Sequence, residues 1–325
     1  SVLSYVSSYG VDTAPAAGAT DYWDITQTYF DIRDENIAIA ANESYQTLYC
    51  WQSNTTVFST LTGAPQAKCV DVFNNYILAA NIQSGSSQYV QRIQWNDRGS
   101  ASSWTGGLSG FEDLLGMRGE ITRLLGQENR LVVLGEQEIW QGIPVDYPFI
   151  FNFQPLDRNV GCPYPWTATI TPAGIFFLGR DLQVYLLPKT GGPAQPVGHR
   201  VSKLLRDNID TPERAWGVYS SAYEQYQLYF PVLAGSGYPE RALFPNVDIN
   251  AHEGGAWAPQ TFTFADGTAQ ALSRGFEALN PSSSGTTWGG AGALTWGAAG
   301  LQWNQMGSSS LNRVVFAGTS GGTMY

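Results

Sequence analysis

Histidine is nearly absent. The 325 residues hold two, His199 and His252. Ser-His-Asp chemistry needs an imidazole as its base. His199 follows "PVG" and His252 lies in "NAHEGG", and no GxSxG or other nucleophile pattern stands near either. Cysteine is scarce as well: Cys50, Cys69 and Cys162, an odd number with no CxxC. Reduced, buried thiols are the expectation, with a Cys50–Cys69 disulfide left open. Metal sites need clustered ligands, and this pattern supplies none. No catalytic, cofactor-binding or metal-binding residue is therefore assigned, and no cofactor is expected.

Positive charge is also sparse. Lys plus Arg number 17 against 27 Asp plus Glu, for a net charge of −10. Phosphate backbones attract basic surfaces, so tight nucleic-acid binding is not expected. No apolar run is long enough for a membrane span. The opening "SVLSYVSSYG" lacks a basic region and an apolar core, so it is not expected to be a secretion signal. "GQENR" and "GTSGG" lack the Lys and the helix of a phosphate loop. Asp31, Asp34 and Glu35 in "DIRDEN" form a charge run, read as a solvated turn. A glycosidase pair drawn from distant strands stays open. "NES" at Asn42 and "NTT" at Asn54 match the glycosylation sequon, which has meaning only in a secreted protein.

What the chain has is glycine and aromatic residues. Gly numbers 36, Trp 11, and aromatics make up 13%. Hydrophobic residues reach 43%, enough for a sizeable core. One unit recurs: an apolar strand, a polar turn, a second apolar strand. "CVDVFNNYILAAN" turns at Asn74-Asn75, a hairpin dipeptide because Asn tolerates positive φ. Similar turns fall near Asn42, Asn129, Gly174, Gln225 and Gly321. Their spacing is about that of a propeller blade, roughly 40 to 50 residues, with the last interval about double. An all-β propeller of six or seven irregular four-stranded blades, with very little helix, is the predicted fold. A β-sandwich holds about 100 residues and would require tandem copies joined by linkers. The best helix candidate is "VSKLLRDNI", Val201 to Ile209, and "FEDLLGM", Phe111 to Met117, suggests one helical turn.

The expected organisation is an N-terminal arm over 1–21, the propeller over 22–280, a Gly/Trp-rich extended arm over 281–310, and a closing hairpin over 311–325. The extended arm carries Trp288, Trp296 and Trp303 among Gly and Ala, too Gly-rich for a stable helix. The hairpin "RVVFAGTSGGTMY" is expected to pair with an early segment such as "YWDITQTYFDI", Tyr22 to Ile32.

The stretch "RIQWNDRGSASSWTGG" is polar and turn-forming, yet holds Trp95 and Trp104. It partly matches the Asp-box turn of sialidase propellers, with Asp97, Gly99 and Trp104 in order but two extra residues between them. In such a turn Asp accepts backbone N–H groups and Trp packs beneath. The expectation is that both indoles fill seams between blades, each ring contributing about 2 to 3 kcal/mol.

From Arg92 to about Val201 the chain resembles the β-propeller structural proteins of tailed-phage tails, the tail tube or nozzle proteins of short-tailed phages. The motifs are "IQWNDRGSASSW", then "GEITRLLGQENRLVVLGEQEIWQG", then Phe153, Gly161, Pro163 or Pro165, Gly174, "FFLGRD" and Tyr185, then "PVGHRVSKLL". The "TTW…LTW…LQW" run and the final "FAGTSGGTMY" are similar to the family's C-terminal half. Asn96 departs from the family's Ser. The resemblance implies a structural virion protein without an active site. It would be a subunit of a homohexameric ring, seated between a head-to-tail adaptor and tail fibres, spikes or a plug or needle protein, through which DNA passes without sticking. Localisation in the virion tail follows from the same resemblance. The alternative is a carbohydrate-binding or glycoside-hydrolase propeller.

Overall fold

The computed structural model describes residues 6–7, 10–11, 23–30, 35–52, 58–145, 147, 149–197, 199–221, 224–233, 239, 241–244, 258–261, 272–279 and 313–319. Strands dominate. After a short pair, β1 (Val6–Ser7) and β2 (Gly10–Val11), five four-stranded antiparallel sheets follow in chain order. The first holds β3 (Trp23–Phe30), β4 (Glu35–Asn42), β5 (Tyr49–Gln52) and β6 (Ser59–Thr60). The second holds β7 (Gln66–Phe73), β8 (Tyr76–Ser84), β9 (Ser87–Trp95) and β10 (Gly110–Asp113). The third holds β11 (Ile121–Gln127), β12 (Arg130–Gly135), β13 (Ile139–Pro144) and β14 (Phe151–Asp157). The fourth holds β15 (Thr169–Thr171), β16 (Gly174–Leu178), β17 (Val184–Pro188) and β18 (Gln195–Val197). The fifth holds β19 (Trp216–Ser220), β20 (Gln225–Phe230), β21 (Arg241–Phe244) and β22 (Ala258–Thr261). Then β23 (Leu272–Leu279) pairs with β24 (Arg313–Thr319).

Each sheet is an up-and-down meander, the strand order of a propeller blade. The chain divides into two compact units, the first holding the first three sheets and the second holding the rest. Within the first unit the leading strands β3, β7 and β11 pack in succession. Within the second, β15, β19 and β23 do the same. Each unit thus shows the blade-on-blade order of a β-propeller.

The complete blades among the described residues number five, not six or seven. The long final interval accounts for the difference. Although about double the others, it adds no complete second sheet among the described residues: β21 and β22 complete the sheet that β19 begins, leaving β23 and β24 as a two-stranded pair. Pairing of β24 with the segment around β3 is not among the described pairings. The Gly/Trp-rich arm and the Ser320–Gly321 turn lie outside the described residues.

Local chemistry explains the turns. Asn74 and Asn75 both take positive φ, 51° and 63°, as a two-residue type I′ hairpin requires. The helix forms where expected, as α1 (His199–Asn208), with Leu205 and the following Ile209 buried. "FEDLLGM" is not a helical turn. Its first residues form β10, because Gly110 to Asp113 pair in register with Trp95 to Arg92. Among the described residues, no helix is long and apolar enough to cross a membrane.

In the first unit the core is two seams, one on each face of the second sheet. Side chains of β8 alternate, as strand geometry demands. Tyr76, Leu78 and Ala80 enter one cluster with residues of the third sheet. Ile77 and Ala79 enter the other with residues of the first. At Asn81 the register shifts and φ turns positive, 56°, a bulge that carries Ile82 to the same side as Ala79. In the second unit, Phe176 stacks on Tyr226 at 5.1 Å, and the Tyr226 hydroxyl donates to the Thr167 carbonyl at 2.8 Å. A side chain at Gly217 would collide with that carbonyl and that hydroxyl, so only glycine fits.

Candidate functional site

The loop between β9 and β10 serves the two seams. Trp95 ends β9 on the third-sheet side, buried against Phe151 edge to face at 5.3 Å. Trp104 is buried on the opposite side, in the cluster shared with the first sheet. Each indole N–H is used locally: Trp95 Nε1 donates to the Leu108 carbonyl at 3.0 Å and Trp104 Nε1 to the Ala101 carbonyl at 2.8 Å. Asp97 Oδ1 accepts the Arg98 and Leu108 amides at 3.0 and 2.9 Å. Gly99, at φ +68°, donates its amide to the Asn75 carbonyl at 3.1 Å. The Asp-box-like reading of Asp97 and Gly99 as turn-makers agrees with this geometry, and so does the placing of both tryptophans in seams.

Asn96 does more than the sequence suggested. It is fully buried; its Oδ1 accepts the Ile77 amide at 2.6 Å and its Nδ2 donates to the Ser100 carbonyl at 2.8 Å. It ties the loop to β8. The amide side chain that stands where the resemblance has a serine reaches two partners.

Two polar junctions cross the three sheets of the first unit. At one, the Tyr45 hydroxyl donates to Asn81 Oδ1 at 2.7 Å, and Asn81 Nδ2 donates to Glu120 Oε2 at 2.9 Å and to the Ile121 carbonyl at 3.0 Å. Lys68 Nζ pairs with Glu120 at 3.1 Å and lies over the Tyr45 ring. At the other, Asp71 on β7 gathers donors from β3 and β11. Neither junction was visible in the sequence, because each draws single polar residues from strands far apart in the chain. On the outer edge of the second sheet, Arg92 forms a two-pronged pair with Asp113 at 2.6 and 2.7 Å, and its guanidinium lies 3.9 Å from the Tyr89 ring centre and 4.2 Å from that of Phe111.

The other residues singled out in the sequence fall as follows. Cys50, Cys69 and Cys162 are all buried and none is in a disulfide. Cys50 sits in one seam and Cys69 in the other, which rules out a bond between them. His199 opens α1, and His252, Asp31, Asp34 and Asn54 lie outside the described residues. Asn42 is fully buried at the end of β4, with its Oδ1 accepting the Ser44 amide at 2.8 Å, so this sequon is closed to glycosylation in the folded chain. Among the described residues, no group of three or more His, Cys, Asp or Glu side chains is placed to hold a metal ion.

No family model matches the chain, and no curated protein does. Solved structures similar to it include BamB from Moraxella catarrhalis, with a TM-score of 0.41 and 9% identity over 89% of this chain and 78% of that one. The N-terminal domain of Nup159 has a TM-score of 0.40 and 9% identity over 89% of this chain and 72% of that one. Likeness at this level assigns neither function nor partner. What the chain's own sheets define is an all-β protein of consecutive four-stranded blades.

Proposed function

We propose that this chain is a structural subunit of a phage tail conduit, a nozzle or tail-tube component that assembles as a ring and lets DNA pass. The observation that supports the reading is what the family-like residues do. Trp95, Asp97, Gly99 and Trp104 make a turn and fill seams. Phe153 packs in the aromatic seam, and Tyr185 stacks on Phe177 at 5.7 Å. Gly161 passes so close to the Glu136–Gln137 backbone that a side chain there would collide with it. Each of these residues serves packing or a turn, as a structural role requires. The net charge of −10 also suits a wall that DNA must slide past, since a basic wall would bind phosphates.

Negative-stain imaging and light scattering of the purified chain test this. Rings are expected. Compact monomers of 35.4 kDa would overturn the reading and favour the carbohydrate-directed alternative. The chain is expected not to retard duplex DNA even at about 10 mM salt, where screening reaches ~30 Å. Salt-sensitive retardation at micromolar protein would remove the slippery-wall argument.

A further inference from the structure

The outer edges of the sheets are not alike. At the end away from its leading strand, each four-stranded sheet stops at a last strand, and such an open edge invites another strand unless something blunts it. β6 is two residues long, and β14, β18 and β22 carry Pro155, Pro196 and Pro259. A proline on an edge strand offers no amide outward. β10 has neither device. Gly110, Phe111, Glu112 and Asp113 run unbroken, with β9 on one side and no strand on the other among the described residues. Phe111 is 58% exposed, and Leu115, just past the strand, 83%. We propose that β10 is a docking edge for a second copy of this chain, the two β10 strands pairing antiparallel about a two-fold axis with Phe111 opposite Phe111.

The backbone is set for that register. The Leu114 amide donates to the Gln91 carbonyl at 3.0 Å. The alternation of an antiparallel ladder then turns the amide and carbonyl of Glu112 toward β9 and those of Phe111 away from it. Across the axis each Phe111 exchanges both groups with its counterpart. The Asp113 amide also points outward and meets the other copy's Ser109 carbonyl. The Asp113 carbonyl is taken by the Leu115 amide at 2.8 Å, which ends the pairing there.

The side chains select a second copy as the occupant. With Phe111 facing Phe111, Glu112 lies opposite Gly110 and Asp113 opposite Ser109, so no like charges meet directly. A slip of two residues would set Glu112 against Glu112. Arg92 prepares the face. Its guanidinium lies 4.2 Å from the Phe111 ring centre and holds Asp113 in the two-pronged pair, which fixes the ring and offsets the acid beside it. Two such faces join in an aromatic pair flanked by stacked guanidinium groups, on the same strands whose main chains bond. The pairing does not rest on the tail-conduit reading, since it doubles a ring or a lone chain alike.

Light scattering of the full chain at micromolar concentration should give a particle mass that is an even multiple of 35.4 kDa. Phe111→Pro gives β10 the device that β14, β18 and β22 have, and it spares the ladder to β9 because the Phe111 amide points outward. This change should halve the particle mass. Phe111→Lys and Phe111→Glu each set like charges across the axis and should halve it as well, while an equal mixture of the two should restore it. A wild-type chain that stays monomeric overturns the pairing, and so does an assembly whose mass Phe111→Pro leaves unchanged. Rings of that last kind would support the conduit reading while removing the edge contact. Lys and Glu variants that stay apart when mixed overturn the Phe111 register.

Discussion

The two seams of the first unit are built from different stock. The seam between the second and third sheets is aromatic: Phe73, Tyr76, Trp95, Trp140, Phe151 and Phe153 interlock, with Phe151 touching Phe73, Tyr76, Trp95 and Phe153. The seam between the first and second is aliphatic and small: Ala41, Ala67, Ala79 and Ala101 lie among Ile, Leu and Val, with Trp104 as the one aromatic ring in it among the described residues. A single sheet faces both. Large rings fill a seam through shape, and their loss leaves a hole that neighbours cannot close. Alanines fill a seam by letting backbones approach, and they leave no room for growth. The first seam should therefore be vulnerable to deletion and the second to insertion.

The largest expected effect is deletion in the aromatic seam. Trp95→Ala should cost about 3 to 5 kcal/mol, read as a lower denaturant midpoint at unchanged slope. A loss under about 1 kcal/mol would mean that the seam collapses around the gap. Insertion in the alanine seam comes next. Ala79→Leu should cost about 1 to 3 kcal/mol through overpacking, and a neutral result would show unfilled space between the first two sheets. Smallest is the loop that carries both tryptophans. Asp97→Ala removes the acceptor of two amides and should cost about 1 kcal/mol. If it instead matches Trp95→Ala, the turn itself holds the indoles in place, and the contrast between seams is secondary.

Local features were legible in the sequence. Asn74-Asn75 announced its hairpin because two residues suffice to set the turn. "WNDRGSASSW" announced a turn with seam-filling rings because Trp in a polar loop has few other uses. The helix near Val201 announced itself by apolar spacing. What stayed hidden depends on partners remote in the chain. "FEDLL" looks helical in isolation and becomes an edge strand only because β9 offers a ladder. Asp71 looks like any polar residue on an alternating strand until Thr26 and Gly126 arrive from either side. The blade count failed for a related reason: a turn signal marks a hairpin, but not whether the next two strands finish one sheet or start another.

The thiols give the molecule a set of built-in reporters. Cys50 lies in the alanine seam and Cys69 in the aromatic one, each shielded from solvent. A thiol reagent applied in pulses would mark whichever seam parts first, one site for each, with no label to engineer. Cys162, buried with its Sγ near the Tyr164 carbonyl at 3.4 Å, adds an independent clock outside both seams.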